Sequence, residues 1–293
     1  MASMVTVDHV RMLEHDLRAI FGPRLQSLVQ YRPAMVTPGA PALTLAVVQT
    51  IAATDLQACA SQAAGWHDRG LATPLLLAAA EFDRSLDAFP LEFGAILADY
   101  EVVYGSDPFA NLRVDPADLR RACEVQVRSH LLHLREGYIE TRGRAEAISA
   151  LIVDSVAPLA GLLVSLARLI EQPTRQPAMA AQIVERAAHL PAGSLADVIA
   201  HAGAHAGPHA GSQPGGHLGT PIARQLFPGY LAAIEQLAEF VDRWADAAQD
   251  ASLGPANSAN GRHTTPSRSF RYRSAGLALT SNGSVCTNRS SPR

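Results

Sequence analysis

The sequence predicts an α+β protein, with a small mixed sheet near the amino terminus and a helical bundle after it. Leu25–Tyr31 and Leu43–Val48 read as two short strands, and the segment 32–41 between them carries three prolines and a glycine. Beyond about residue 108, apolar residues recur only at helical spacing, so no further strand is predicted.

These patterns divide the chain into three parts. Residues 1–112 form the predicted α/β domain, and residues 113–250 form the helical bundle, with a loop rich in histidine and glycine at about 201–219. Residues 251–293 are rich in Ser, Arg, Gly and Asn and lack an apolar period, which predicts a disordered basic tail.

The elements of the first part follow from spacing and turn residues. An amphipathic helix ends at Gly22-Pro23, before the first strand. After the second strand, Thr54 and Asp55 offer a cap for a helix that stops at Gly70. Residues 73–78 form an apolar third strand, and Pro90 opens a helix predicted to continue to Tyr104.

The second part is predicted to be helical throughout. Long helices are expected over 116–141 and over 145–170, the latter with a kink at Pro158, followed by shorter ones over 174–188 and 228–248. Between the last two, Gly and Pro are too frequent for a packed helix, so 201–219 is predicted to be a surface loop. His201, His205, His209 and His217 lie in it, and because flexible loops organise metals poorly, no metal site is assigned to them.

Charge and cysteine content restrict the function classes. The residues after Asp250 hold six arginines and no acid, which leaves 18 basic and 27 acidic residues, a net charge of −9, in the rest of the chain. An acidic body argues against broad nucleic-acid binding. Three widely separated cysteines, no predicted secretory signal and no clean apolar run of about 20 residues predict a cytoplasmic protein without a membrane span.

Several segments carry a resemblance to a known family. They are Phe-Pro-Leu-Glu-Phe at 89–93, Tyr-Glu-Val-Val-Tyr-Gly at 100–105 with Asp107-Pro108, and Leu-Leu-His-Leu-Arg-Glu at 131–136. Together with the initial helix–strand–turn–strand order, they resemble a bacterial family of largely uncharacterised proteins. That family has a degenerate polymerase-beta-like nucleotidyltransferase domain and a helical carboxyl-terminal domain. The resemblance covers about residues 7–250, except for the histidine-rich loop.

The resemblance implies a fold without the activity of the larger superfamily, whose enzymes hold two divalent metals with three carboxylates. Ala42 and Thr44 fall where two of the acids would stand, and Leu75, Leu76 and Leu77 replace the third. Tyr31-Arg32-Pro33 replaces the Gly-Ser turn that approaches phosphate, and Pro33 has no amide hydrogen to donate.

The function predicted from this resemblance is that of a non-catalytic binding or regulatory module, and no residue is assigned a catalytic, cofactor-binding or metal-binding role. The alternative within the superfamily is an active nucleotidyltransferase with a relocated metal site. Asp55 is the nearest spare acid, and its predicted role is to cap the helix that follows. A protein partner, or a second copy of the chain, is expected at the helical bundle.

A different alternative is a HEPN-like ribonuclease, since Arg128 and His133 match the Arg, four residues, His pattern of those helical domains. Five residues turn a regular helix by about 500°, which leaves the two side chains about 140° apart. They could meet only across a kink or a dimer interface. We therefore predict that both residues are structural.

Overall fold

The structure, a computed structural model, describes residues 2–35, 40–205 and 220–252, and residues 1–252 form one compact unit. It confirms the α+β class. The strands are β1 Leu25–Tyr31, β2 Leu43–Val48, β3 Leu75–Ala78 and β4 Tyr100–Gly105. The helices are α1 Ala2–Phe21, α2 Ala53–Asp68, α3 Ala79–Ala88, α4 Pro90–Ala98, α5 Pro116–Thr141, α6 Ala145–Leu169, α7 Pro177–Ala187, α8 Ala196–His205 and α9 Thr220–Ser252.

The four strands form one mixed sheet in the order β3-β2-β1-β4. The strand β1 pairs antiparallel with both β2 and β4, whereas β2 pairs parallel with β3. The α2 helix supplies the crossover that a parallel β2–β3 pair requires. The predicted bounds of β1 and β2 are confirmed, and the third strand begins at Leu75 rather than at residue 73.

Helices cover both faces of the sheet. Alternate residues of β1 and β2, such as Leu28 and Ala46, pack with α1 and α2 around the fully buried Trp66. The opposite face, with Val29 and Leu45, packs on Phe82 of α3 and on other aromatic side chains. The side-chain period of two in β-strands therefore assigns each position of β2 to one of two separate cores.

The apolar helix α6 forms the centre of the bundle. Thirteen of its residues are buried, and it packs against α5, α7, α8 and α9. By length and composition alone, α6 could also cross a membrane. The sequence predicts no membrane span, and half of the most apolar window of this helix is buried. Pro158 lies inside one continuous helix.

One predicted helix is wrong in its second half. The helix that begins at Pro90 ends at Ala98, and Tyr100–Gly105 is the edge strand β4 rather than a continuation of the helix. Tyr100, Val103 and Tyr104 fit a helical spacing, but aromatic and β-branched residues also favour strands, and here the segment that holds them pairs with the free edge of β1. The pairing with β1, rather than the local sequence pattern, decides that this segment is a strand and not a helix.

Two helices were not predicted. Ala79–Ala88 follows β3 directly, and Ala196–His205 extends into the predicted histidine-rich loop, so that prediction is wrong for residues 201–205. Residues 206–219 and the predicted tail from residue 253 lie outside the described residues. The division of the chain at residue 112 stays a prediction.

Candidate functional site

Of the positions at which the resemblance would place metal-binding acids, Thr44 is buried and Ala42 is half-buried, whereas Leu75 is 40% exposed. By strand alternation Thr44 shares the face of β2 that holds Ala46 and faces α1 and α2, and only 2% of Thr44 is exposed. Its hydroxyl has no hydrogen-bond partner among the described residues. Ala42 is half-buried against the same core. A metal ion held at Thr44 and Ala42 would lie inside an apolar core.

Asp55, the spare acid nearest to these positions, has a structural role. Its carboxylate accepts a hydrogen bond from the backbone N–H of Ala52 (2.8 Å) and pairs with Arg24 through both oxygens (2.7 and 2.8 Å). The hydrogen bonds from Arg24 and from the Ala52 amide lower the pKa of Asp55 to about 2. Asp55 does cap α2, but from the third position inside the helix, whose N-cap residue is Ala52, rather than from a position before the helix.

No group of three or more His, Cys, Asp and Glu residues within the described ranges could hold a metal ion. Cys59 and Cys123 are free and buried.

Arg128 and His133 are not brought together within the chain. They lie on the unbroken helix α5, where Arg128 pairs with Asp242 of α9 (2.8 Å) and with Glu124 (3.4 Å). His133 lines a groove towards α6 and contacts the Ser129 hydroxyl through Nδ1 (3.3 Å). Within one copy of the chain, the predicted separation of the two side chains is confirmed.

A cluster of arginines lines a cleft at the end of β1, between α4 and α6, that the sequence did not predict. We call it the arginine cleft. Its cavity has a volume of about 170 Å³ and opens beside a second one of about 320 Å³. Its charged side chains come from three separate parts of the chain, and they are Arg32, Asp99, Arg168 and Arg175.

Asp99 organises one side of the arginine cleft. The same carboxylate oxygen pairs with Arg32 (3.1 Å) and with Arg175 (3.4 Å). The backbone N–H of Arg32 also donates to the carbonyl of Asp99 (3.0 Å), which fixes the end of β1 against the start of β4. Asp99 is therefore shared between two arginines and neutralises only one positive charge.

Arg168 lies on the other side of the cleft without a partner. It makes no hydrogen bond or ion pair with any described residue, and it is half-buried in the last turn of α6. Burial lowers the pKa of its guanidinium from the usual value. The guanidinium lies over Gly94 of α4, where an added Cβ would stand 3.3 Å from Nη1. A glycine at this position gives the side chain its room.

The remaining wall of the arginine cleft is formed by small residues, and apart from the Ser165 hydroxyl, which donates to the carbonyl of Gly161 (2.9 Å), it is apolar. The apolar residues include Pro33, Ala34, Ala95, Ala98, Gly161 and Val164. Three guanidinium groups and one carboxylate leave two positive charges uncompensated among the charged lining residues. Guanidinium groups bind carboxylates and phosphates through paired hydrogen bonds, and partial burial strengthens such contacts. The arrangement can therefore bind a compact anion.

The sequence contained only separate signals for this cleft. Arg32 belongs to the segment that stands in place of a Gly-Ser turn, and Arg168 stands in an otherwise apolar helical segment. Arg32 and Arg168 come together only when α6 packs on α4, a contact that no local pattern encodes. An arginine within an otherwise apolar segment is the one signal in the sequence that could have indicated a site.

No family model matches this chain, and no curated protein matches it either.

Proposed function

We propose that this protein is a non-catalytic binding module whose ligand is an anion held in the arginine cleft. The observation that carries the proposal is Arg168, a half-buried cation that has no partner among the described residues and lines a cavity with two further arginines. An unpaired, partly desolvated charge in a cleft is a candidate for a functional site.

The absence of catalysis is part of the same proposal. Its support is the burial of Thr44 in an apolar core and the use of Asp55 as a helix cap paired with Arg24. A phosphoryl-transfer site needs carboxylates that reach both the metal ions and solvent-borne substrate. In the nucleotidyltransferase-like interpretation, the arginine cleft would take over the anion-binding part of the ancestral site without its metal chemistry.

The size and walls of the arginine cleft indicate the ligand class. About 170 Å³ suits a small anion or the charged end of a larger molecule that continues into the neighbouring cavity. Among the described residues no aromatic side chain lines either cavity, so stacking of a nucleobase has no support there. A phosphate or carboxylate on a small aliphatic body fits both the charges and the walls.

Binding of inorganic phosphate tests this proposal. Phosphate should bind measurably by calorimetry, and at 100 times its Kd it should stabilise the fold by about 2.7 kcal/mol relative to chloride at equal ionic strength. In Arg168→Met, which keeps an unbranched apolar chain, affinity should fall at least tenfold because a charge-assisted contact is lost. Arg186→Met, an exposed arginine of α7, is the matched control and should bind like the wild type.

Equal phosphate binding by Arg168→Met and the wild type would show that Arg168 is not the anion site. Catalysis is tested separately with labelled nucleoside triphosphates and Mg²⁺ or Mn²⁺, where we expect no transfer to protein, RNA or small molecules. Metal-dependent labelling above background would contradict the proposed absence of catalysis, but it would leave the proposed anion binding untouched.

A further inference from the structure

A second groove, independent of the arginine cleft, lies between α5 and α6. Its cavity has a volume of about 320 Å³. Polar side chains of both helices line it, among them Ser129, His130 and His133 of α5 and Asp154 and Ser155 of α6. Ligand sites in helical bundles are commonly built in this way, from side chains on facing helices.

The floor of this groove is a buried hydrogen-bond network. His130 Nε2 lies 2.6 Å from the hydroxyl of Tyr230 on α9, and the same hydroxyl lies 3.1 Å from Ser155 Oγ. Burial lowers the pKa of His130 to about 4, so its imidazole is neutral at pH 7. The network ties three helices together and leaves the floor uncharged.

The rim of the groove carries hydrogen-bond acceptors that the fold does not use. Asp154 is exposed at the edge of the groove, where it makes no hydrogen bond or ion pair with any described residue, and partial desolvation on its groove side raises the pKa of its carboxyl. Pro158 lies four residues further along α6 and has no N–H to donate to the backbone carbonyl of Asp154. His133 contacts the Ser129 hydroxyl through Nδ1, and its Nε2 is an acceptor in the tautomer in which Nδ1 carries the proton.

The charge carried by the side chains that line the groove indicates which charge a ligand should carry. Among the described residues that line the groove, Asp154 is the only carboxylate or guanidinium, and Arg128 of α5 is turned away towards Asp242 and Glu124. Leu134 and Leu151 add apolar wall beside these polar groups. A ligand that complements this lining is a cation with several N–H donors and a short hydrocarbon body.

We propose that the groove between α5 and α6 binds an organic ammonium group, with the carboxylate and the carbonyl of Asp154 as its acceptors. The ammonium lies at the rim, next to Asp154 and His133, and its hydrocarbon chain lies against Leu134 and Leu151. This site takes the opposite charge from the arginine cleft, so the two sites can be tested on the same protein without interference.

A matched set of five-carbon probes tests the proposal. Pentylammonium, 1-pentanol and pentanoate are titrated into the full chain while the imidazole NMR signals of His130 and His133 are followed. We expect saturable shifts with pentylammonium, and at least tenfold weaker binding of the alcohol and the carboxylate because they lack the positive charge. Asp154→Asn, which removes the charge and keeps the shape, should weaken pentylammonium binding about tenfold.

Two further variants complete the test. Asp87→Asn, at an exposed acid of α3, should bind pentylammonium like the wild type. Pro158→Ala restores an N–H to the carbonyl of Asp154, so it should weaken binding while the melting temperature stays the same or rises. Equal binding of pentanol and pentylammonium, unchanged binding by Asp154→Asn, or no imidazole shift with any probe would each overturn the proposal.

Discussion

Replacing Glu185 with alanine should lower the free energy of unfolding by about 3 kcal/mol, since it leaves two buried amides and one half-buried amide without an acceptor, at about 1–3 kcal/mol for each buried group. The Glu185 side chain is 4% exposed, and its carboxylate accepts hydrogen bonds from the backbone N–H groups of Gly193 (3.1 Å), Leu195 (2.7 Å) and Ala196 (2.8 Å). Two of these amides open α8, where a negative charge is favoured. Alanine would leave all three without an acceptor.

Urea denaturation measures this effect, with two variants as references. Gln182→Ala changes an exposed residue on the same helix and should stay within about 0.5 kcal/mol of the wild type. Glu185→Gln keeps one oxygen acceptor but loses the charge, so its stability should lie between the wild type and Glu185→Ala. If Glu185→Ala and Gln182→Ala had the same midpoint and slope, the carboxylate would not support the start of α8.

Replacing Gly105 with alanine should have the second large effect, a loss of about 3 kcal/mol. Gly105 ends β4 with φ of +77°, a conformation that costs an L-residue about 1–2 kcal/mol. An added Cβ would also overlap the backbone carbonyl of Gln26 and would lie 3.1 Å from the Cα of Ser27. Relief of that overlap requires β4 to move away from β1, with which it pairs at this residue.

The alanine substitution of Gly143 separates the two contributions. Gly143 has φ of +71°, yet an added Cβ would have no atom within 4 Å. Gly143→Ala should therefore show only the conformational cost of about 1–2 kcal/mol. The difference between the two variants, measured as unfolding free energies under the same conditions, gives the steric part at Gly105. Equal losses would mean that β4 accommodates the methyl group without strain.

The local sequence pattern was sufficient to predict those helices and strands whose apolar residues follow a single clear period. The bounds of β1 and β2 follow from alternation and from the Pro- and Gly-rich connection, and α5 follows from Asp115, whose side chain accepts from the Ala117 amide as an N-cap. The edge strand β4 was missed because its half-exposed residues also fit a helix. Its state is set by the free edge of β1, which lies about 70 residues earlier in the sequence.

The candidate sites are harder to predict from the sequence than the helices and strands are. Each depends on single side chains that meet across elements, such as Arg168 over Gly94 or His130 against Tyr230. The residues of the pattern-based prediction, Arg128 and His133, do share a helix, and their separation could be worked out from helical geometry alone. A charge without a partner becomes visible only when all of its neighbours are known.

The His130–Tyr230–Ser155 network also has a consequence for biosynthesis. Tyr230 is translated 75 residues after Ser155 and 100 after His130. At typical elongation rates this is a delay of roughly 4 to 15 s after Ser155. During that interval α5 and α6 leave the ribosome without α9, and the apolar surface that α9 later covers is open to solvent. A nascent chain arrested before Tyr230 should therefore be a better substrate for chaperones than one released after Val241.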